Sequence, residues 1–105
     1  MADVDVRDNP ADSRFEAYVD GALAGFAEYD LTDGVITFVH TEVDDAYEGQ
    51  GVGSGLVRAA LDDVLGRGDL RGVRASCPFV RSWIRRHPDY LHRVEQVEQV
   101  EEAND

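Results

Sequence analysis

The hydrophobic pattern of this chain changes its period at one place, the glycine-rich stretch EGQGVGSGL at residues 48–56. Before this stretch, apolar residues alternate with polar residues, as they do in half-buried β-strands. After it, apolar residues recur at the spacing of three and four that is typical of an amphipathic helix. A chain of 105 residues holds one modest core, so the sequence predicts a single α/β domain over residues 1–105.

Two Asp-Gly dipeptides in the first half indicate β-hairpin turns. Asp20-Gly21 and Asp33-Gly34 each stand between segments of alternating apolar residues, and this dipeptide favours the two-residue turns that join antiparallel strands. Phe15, Ala17 and Val19 would share one face of the strand before the first turn. The pattern predicts strands over residues 14–19, about 22–29 and 35–43, with a short edge strand around Val4 and Val6 as an optional fourth.

The second half predicts helices separated by a strand. Apolar residues recur at helical spacing from Gly51 to Leu65, and Gly66 suits the C-terminal stop. GVRAS at 72–76 is typical of a short strand, and a strand–helix–strand passage normally gives a parallel pair with a right-handed crossover. We therefore predict a mixed, mostly antiparallel sheet with two main helices.

The second of these helices is predicted to begin after Cys77. Pro78 suits the first helical position, which makes Cys77 the N-cap residue. Apolar residues follow at helical spacing until Pro88, which would end the helix.

Acidic residues dominate the chain, with 22 Asp and Glu against 10 Arg, no Lys and a formal net charge of −12. Residues 1–12 and 95–105 are acidic ends that we predict to be flexible, the tail as frayed helix or disorder. Such a surface disfavours nucleic acid and anionic membranes as partners. A polycationic partner and a very salty cytoplasm both remain as explanations. We favour the second because the charges are spread along the chain.

The cysteine count and the hydropathy exclude several further classes. Cys77 is the one cysteine in the sequence, which excludes an internal disulfide and a Cys-pair metal site, and we predict no metal. No stretch approaches the ~20 apolar residues of a membrane span. The N-terminal MADVDVRDNPADS lacks the apolar core of a signal peptide, so we expect a cytoplasmic location.

Three glycines at alternate positions, Gly49, Gly51 and Gly53, stand directly before the first helix. Such a segment leaves backbone N–H groups accessible at the positive end of a helix, which favours phosphate binding. The alternative is a tight turn that packs the helix closely on the sheet. The glycine register does not match the dinucleotide fingerprint, and without lysine there is no P-loop. We favour a phosphate on the amides from Gly49 to Ser54.

Three motifs of the chain are similar to a known family. HTEVDDAYEGQGVGSGLVRAAL at 40–61 resembles motif A of the GNAT acetyltransferase superfamily, which is a strand, a glycine-rich turn and a helix. CPFVRSWIRRHPDY at 77–90 and RFEAYVDG resemble segments of a small, compact N-acetyltransferase subfamily, so the likeness covers roughly residues 10–93. Glu48 departs from the family, which usually has Arg or Gln there. A carboxylate opposes a phosphate unless it points away or salt screens it.

The resemblance implies a GNAT-type fold that binds acetyl-CoA. The pantetheine arm would lie beside the end of the third predicted strand, where it separates from the strand ending at Ser76. The residues implied in binding acetyl-CoA are Thr41, Val43, Gly49, Gln50, Gly51, Val52, Gly53 and Ser54. Arg81, Arg85 and Arg86 would either reach the phosphates of acetyl-CoA or form the solvated face of the second helix.

Acetyl transfer needs a group that accepts the proton of the amine, and His40 and Glu42 are candidates. Simple alternation places His40 on the face shared by Ile36 and Phe38, with Glu42 on the same face nearer the strand end. Each is either a general base or a structural residue. The family resemblance suggests Tyr90 as the acid for the leaving thiolate, although its register is open. His87 and His92 have no assigned role.

Cys77 is the third catalytic candidate. At a helix N-terminus, the dipole and nearby arginines would lower the pKa of the thiol and favour the thiolate. A thiolate beside a thioester can accept the acetyl group and pass it to an amine. The alternative is a small buried apolar residue.

The function that the sequence favours is acetyl transfer from acetyl-CoA to a primary amine that it does not identify. About thirteen residues precede Arg14, too few for the two N-terminal helices of larger family members, so we expect an open acceptor side. The first alternative is a non-catalytic acyl-CoA-binding sensor or interaction module. The second is an acidic adaptor for basic proteins, which leaves the glycine loop unexplained. The oligomeric state is open, and a monomer fits.

Overall fold

The antiparallel meander predicted for the first half is present and contains four strands. The computed structural model describes residues 3–102, with side chains described for residues 3–97. Short turns join successive strands, so each strand pairs antiparallel with the next along the chain. The strands are β1 (Asp5–Asn9), β2 (Arg14–Val19), β3 (Ala22–Thr32) and β4 (Val35–Val43).

Both Asp-Gly dipeptides form the predicted turns. Asp20 and Gly21 have φ angles of 49° and 82°, and Asp33 and Gly34 have φ angles of 53° and 79°. Two successive left-handed residues give a turn whose twist matches that of the flanking strands, and Asp and Gly tolerate this conformation well. The two dipeptides therefore fix where the β2–β3 and β3–β4 hairpins begin.

The second half adds one strand and three helices. β5 pairs parallel with β4, which gives a five-stranded sheet in the order β1-β2-β3-β4-β5. The predicted mixed, mostly antiparallel sheet is confirmed. The remaining elements are α1 (Val52–Leu65), β5 (Gly72–Ala75), α2 (Pro78–Arg85) and α3 (Pro88–Glu102).

The N-terminal segment contains the edge strand that the sequence offered as optional. Asp5–Asn9 form β1 along the edge of the sheet, and Pro10–Asp12 form a 3-10 turn. Residues 5–12 therefore have regular structure, while the flexibility expected over residues 1–12 stays a prediction. Residues 1–2 lie outside the described part of the chain.

The C-terminal segment forms a helix, which is one of the two structures expected for the tail. α3 continues to Glu102, so the protein has a third long helix beside the two that were predicted. Pro88 starts it, since proline suits the first helical turn, and Val94 is buried in the core. Residues 103–105 lie outside the described part of the chain.

One face of the sheet and all three helices share a single core. Phe15, Ile36 and Phe38 enter it from the sheet, while Leu56 and Trp83 enter it from α1 and α2, each 2% exposed or less. The other face of β2–β4 carries mostly polar side chains. We call this the polar sheet face, and it consists of Arg14, Glu16, Tyr18, Phe26, Glu28, His40 and Glu42.

A buried tyrosine joins three parts of the fold. Tyr29 on β3 donates its hydroxyl to Asp8 Oδ1 of β1 at 2.7 Å, and Arg67, just after α1, donates to Asp8 Oδ2 at 2.9 Å. Burial, and then the hydrogen bond to Asp8, raise the pKa of Tyr29 to about 12. Tyr29 is therefore held as the neutral phenol across the physiological pH range.

Candidate functional site

β4 and β5 separate before β4 ends, and this leaves part of the β4 edge unpaired. The last pair of the two strands is Phe38 with Ala75. The Phe38 carbonyl then accepts from the amides of both Ser76, at 2.9 Å, and Cys77, at 3.1 Å, because β5 turns away into α2. Within the described residues, β4 continues from 39 to 43 without β5 beside it. A free strand edge of this kind can pair with an extended ligand.

A β-bulge at Val39 reverses which side chains of β4 face the core. Glu28 pairs with His40, whereas the next residue, Tyr29, pairs with Phe38, so β4 contains one extra residue between them. Beyond the bulge, Thr41 is half-buried and His40 is exposed. The prediction that His40 shares a face with Ile36 and Phe38 is therefore wrong, because the bulge shifts the alternation by one residue.

The two predicted base candidates form one pair on the polar sheet face. His40 Nε2 lies 3.0 Å from Glu42 Oε2, and the side chains are 52% and 60% exposed. The His40 ring lies 6.3 Å from the Phe26 ring of β3. The pair is accessible to a substrate on this face, at the level of the unpaired β4 edge.

The glycine loop leads from β4 into the first turn of α1. Asp44 follows β4 and accepts from the amide of Ala46 at 2.9 Å, which caps a 3-10 turn over Asp45–Tyr47. Gly49 and Gly51 then have φ of 78° and 79°, a left-handed conformation that suits glycine. The loop therefore depends on glycine at both positions.

The start of α1 presents backbone amides that the helix itself does not use. The first helical bond runs from the Gly55 amide to the Gly51 carbonyl at 3.0 Å. The amides of Val52, Gly53 and Ser54 come before it, so helix geometry gives them no acceptor and they carry the positive end of the helix dipole. This arrangement can bind a phosphate group.

Gln50 is bonded to the turn that precedes the glycine loop. Its amide donates to the Tyr47 carbonyl at 3.3 Å, and its side-chain amide donates to the Ala46 carbonyl at 3.4 Å. These bonds close the turn, so Gln50 shapes the loop. Glu48 is exposed beside it, and the Glu48 amide bonds to Asp45.

Two aromatic residues of α2 contact the first turn of α1. Neither contact was predicted from the sequence. A Cβ on Gly53 would lie 2.8 Å from Phe79 Cζ, so the missing side chain leaves room for that ring. Trp83 donates its indole N–H to Ser54 Oγ at 2.9 Å. A buried tryptophan generally needs an acceptor for its indole N–H. The helical spacing that buries Trp83 could therefore have indicated a hydrogen bond to a polar residue nearby.

Cys77 bridges the gap between β4 and α2. It is the N-cap of α2, as predicted, it is only 4% exposed, and its Sγ lies 3.5 Å from the Thr41 hydroxyl. Burial raises the pKa of the thiol, but the Thr41 hydroxyl and the nearby backbone amides of Val80, Phe79 and Thr41 stabilise the thiolate and outweigh burial. The pKa of Cys77 is therefore lowered, which favours the thiolate.

Arg81 and Arg85 face away from the glycine loop. Phe79 and Trp83 contact the start of α1, and residues two positions away lie on nearly the opposite side of a helix. Arg81 and Arg85 accordingly line a groove of about 390 Å³ beside β5, with Leu91 of α3. Of the two alternatives for Arg81 and Arg85, this placement favours the solvated face of α2 over contact with a phosphate on the loop.

Tyr90 lies in the contact between α1 and α3. Its hydroxyl donates to Asp62 Oδ1 at 2.8 Å and accepts from Arg58 at 3.4 Å. Asp62 is about 15 Å along α1 from the glycine loop at 1.5 Å per residue, so this bond directs the Tyr90 hydroxyl along α1 and away from the loop amides. His87 stacks on Trp83 at 3.7 Å, which is a packing role.

The described part of the chain has neither a membrane-spanning helix nor a metal-binding cluster. None of the helices within residues 3–102 is both long enough and apolar enough to cross a bilayer. Among the described side chains, no group of three or more His, Cys, Asp or Glu is arranged to hold a metal ion.

Comparisons with known proteins identify the family of the chain. Residues 14–94 match the family model of the GCN5-related N-acetyl-transferases, so the chain belongs to this family. It is similar to protein NATD1 of Bos taurus, with 36% identity over 63 residues, 58% of this chain and 54% of that protein. The match thus spans only about half the length of that relative.

Solved structures share the fold. Ard1 from Thermoplasma volcanium superposes with a TM-score of 0.50 and 25% identity over 60% of this chain and 43% of that one. A ribosomal-protein-alanine N-acetyltransferase from Brucella melitensis biovar Abortus 2308 has a TM-score of 0.51 and 24% identity over 79% and 57% of the two chains. The five-stranded sheet with its helices is therefore a GNAT fold.

Proposed function

We propose that this protein transfers an acetyl group from acetyl-CoA to a primary amine. One observation carries the proposal: the unpaired β4 edge and the free amides of α1 are joined by the eight-residue loop 44–51 and lie at the same end of the sheet. An extended arm that ends in phosphates fits an unpaired strand edge followed by a helix N-terminus. Thr41 and Val43 would pair with the arm, and the amides of Val52, Gly53 and Ser54 would hold the pyrophosphate.

The reaction requires an amine without its extra proton, and the polar sheet face offers the group to remove it. The exposed His40–Glu42 pair lies next to the unpaired β4 edge. Either member can accept the proton as general base. The acceptor amine would approach across the polar sheet face, while α1 and α2 enclose the opposite side.

Cys77 supports two variants of the chemistry. In direct transfer the amine attacks the thioester, and the Cys77 thiol only lines the gap. In covalent transfer the Cys77 thiolate takes the acetyl group first and then yields it to the amine. The lowered pKa of Cys77 is compatible with the covalent variant, while its 4% exposure favours the direct one.

A non-catalytic acyl-CoA-binding module is the second candidate. Tyr90, the acid that the family resemblance suggested, is committed to Asp62 on the far half of α1. A protein that lacks a positioned acid can still bind the cofactor through the same amides and strand edge. Binding without turnover is what this candidate predicts.

The test measures binding and turnover separately. Calorimetry with acetyl-CoA, at low salt and in molar salt, reports binding, and a screen of polyamines, amino acids and peptides reports acetyl transfer by release of free thiol. Binding with turnover supports the transferase. Binding without turnover for any amine favours the module, and the absence of binding contradicts both candidates.

A further inference from the structure

A shallow cavity lies on the sheet where β3 begins and β4 ends, apart from the glycine loop amides and α2. Its volume is about 180 Å³, and its lining includes Leu23 and Phe26 from β3 and Glu42 and Asp44 from the end of β4. We propose that this cavity is the acceptor subsite and that it selects a short aliphatic diamine over a monoamine. The inference rests on the proposed acetyl transfer.

The wall that β3 contributes is apolar. Leu23 is 42% exposed, and Phe26 stands opposite Glu42 in the β3–β4 pairing. Arg14 lies over the Phe26 ring at 4.5 Å, but its charge is matched by Glu16 at 2.8 Å. Leu23 and Phe26 therefore offer apolar contact to a chain of methylene groups. Because Glu16 neutralises Arg14, this wall does not attract an anion.

The wall that β4 contributes carries two carboxylates at a fixed spacing. Glu42 and Asp44 are two residues apart in extended backbone, so their Cα atoms are about 6.5 Å apart. Glu42 uses one oxygen for His40 and Asp44 uses one for the Ala46 amide, so each carboxylate keeps a second oxygen for an ammonium donor. Two amino groups on a short aliphatic spacer, as in 1,4-diaminobutane, match this spacing.

The position of Glu42 decides which amino group reacts. Glu42 lies beside the unpaired β4 edge, whereas Asp44 lies beyond the strand end and would hold the distal ammonium. The near ammonium loses one proton to Glu42 or His40, which pass it to solvent. Its nitrogen then bonds to the thioester carbonyl carbon as the C–S bond breaks. The second proton that leaves the nitrogen ends on the thiolate of CoA.

The kinetic test compares 1,4-diaminobutane with 1-aminobutane, which has the same spacer and lacks the second charge. The diamine has two equivalent amino groups, so kcat/KM is compared per amino group. Ion pairs at exposed sites are modest, so we expect this ratio to be about three to five in favour of the diamine at low salt. Asp44→Asn keeps an oxygen for the Ala46 amide and should bring the ratio to about one. Asp45→Asn removes a neighbouring charge outside the cavity and should leave the ratio unchanged.

A binding measurement separates this inference from the proposed function. NMR titration of the protein without acetyl-CoA should show diamine-dependent shifts of the Gly25 and Asp44 amides that Asp44→Asn reduces. A wild-type kinetic ratio near one, or shifts elsewhere in the protein, overturns the diamine inference and leaves acetyl transfer intact. Shifts at the cavity without acetylation of either amine support the diamine site and contradict the transferase.

Discussion

Trp83 donates its indole N–H to Ser54 Oγ at 2.9 Å, and this bond ties α2 to the first turn of α1. The two residues lie 29 positions apart, one on each side of β5. The Trp83 ring is also stacked against His87 and lies under Arg58 at 5.2 Å. The position of the amides at the start of α1 therefore depends on a residue of α2.

Ser54→Ala should destabilise the fold by about 1–2 kcal/mol, because it leaves the buried Trp83 N–H without its acceptor. The free energy of unfolding is measured by urea denaturation. Ser82→Ala, at an exposed serine of α2, is the matched control and should change stability little. Equal stability of the Ser54 variant and wild type would show that water replaces the hydroxyl.

Gly51→Val should abolish acetyl-CoA binding in a protein that still folds. Gly51 has φ of 79°, where a β-branched residue is strained by roughly 1–2 kcal/mol, and the side chain would cover the amides that follow. Circular dichroism checks the fold and calorimetry the binding. Gly68→Val, at a glycine with open space around it, should bind normally. Normal binding by Gly51→Val would rule out the phosphate role of the loop.

Glu48→Gln should tighten acetyl-CoA binding at low salt by about threefold, because it removes a carboxylate from the loop that would hold the pyrophosphate. The gain should shrink as ionic strength rises. Glu95→Gln removes the same charge from α3 and serves as the control. If both variants bind equally well at every salt concentration, the Glu48 side chain points away from the ligand.

Cys77 should react with a small alkylating reagent at lower pH than an ordinary thiol, because hydrogen bonds lower the pKa of Cys77 despite its burial. Thr41→Val removes the hydroxyl that contacts Sγ and should move the alkylation profile to higher pH. Thr37→Val, earlier on the same strand, should not. The sign follows from the lowered pKa: the folded protein favours the thiolate, so its contribution to stability grows as pH rises through that pKa.

Incubation with acetyl-CoA alone decides the role of Cys77. Covalent transfer predicts one added acetyl group on Cys77 by mass spectrometry, its removal by an added amine, and ping-pong kinetics. Direct transfer predicts no adduct, and Cys77→Ser should then keep most of the activity. A thiol that alkylates only after unfolding would assign Cys77 to the core.

Stability should fall as pH rises from about 10 to 12, and Tyr29 should account for part of the loss. The pKa of Tyr29 is about 12 in the folded protein against an ordinary value of 10.0, so the unfolded chain loses the phenol proton first. Tyr29→Phe should be less stable near neutral pH but lose less stability over this alkaline interval. Parallel loss in both proteins would mean that other groups control alkaline unfolding.

Local signals were enough to predict most elements. The two Asp-Gly dipeptides marked turns because few residues other than Asp and Gly accept left-handed backbone, and both turns formed. Glycine likewise marked the start of α1 after Gly51, and the proline at position 78 marked Cys77 as an N-cap. These features depend on residues that are adjacent in the chain, so they can be predicted from the sequence.

Features that depend on distant partners were missed. α3 is highly charged and resembles a disordered tail, yet Val94 is buried in the core and Tyr90 is bonded to Asp62 of α1. The bulge at Val39 lies in a segment rich in β-branched residues with no glycine to mark it, and it shows only in the pairing with β3. The bond between Trp83 and Ser54 depends on how α2 packs against α1, and no local sequence pattern indicates that packing.

Because of the bulge at Val39, the positions of β4 that tolerate polar substitutions differ before and after the bulge. Up to Phe38, even-numbered positions are the ones that enter the core, whereas beyond it Thr41 and Val43 face inwards and the even-numbered positions face solvent. A polar replacement that the core tolerates at position 37 has its counterparts, for the fold alone, at positions 40 and 42. Deleting the single residue Val39 would exchange the two sides of the strand end, carrying His40 and Glu42 towards the interior and Thr41 away from Cys77.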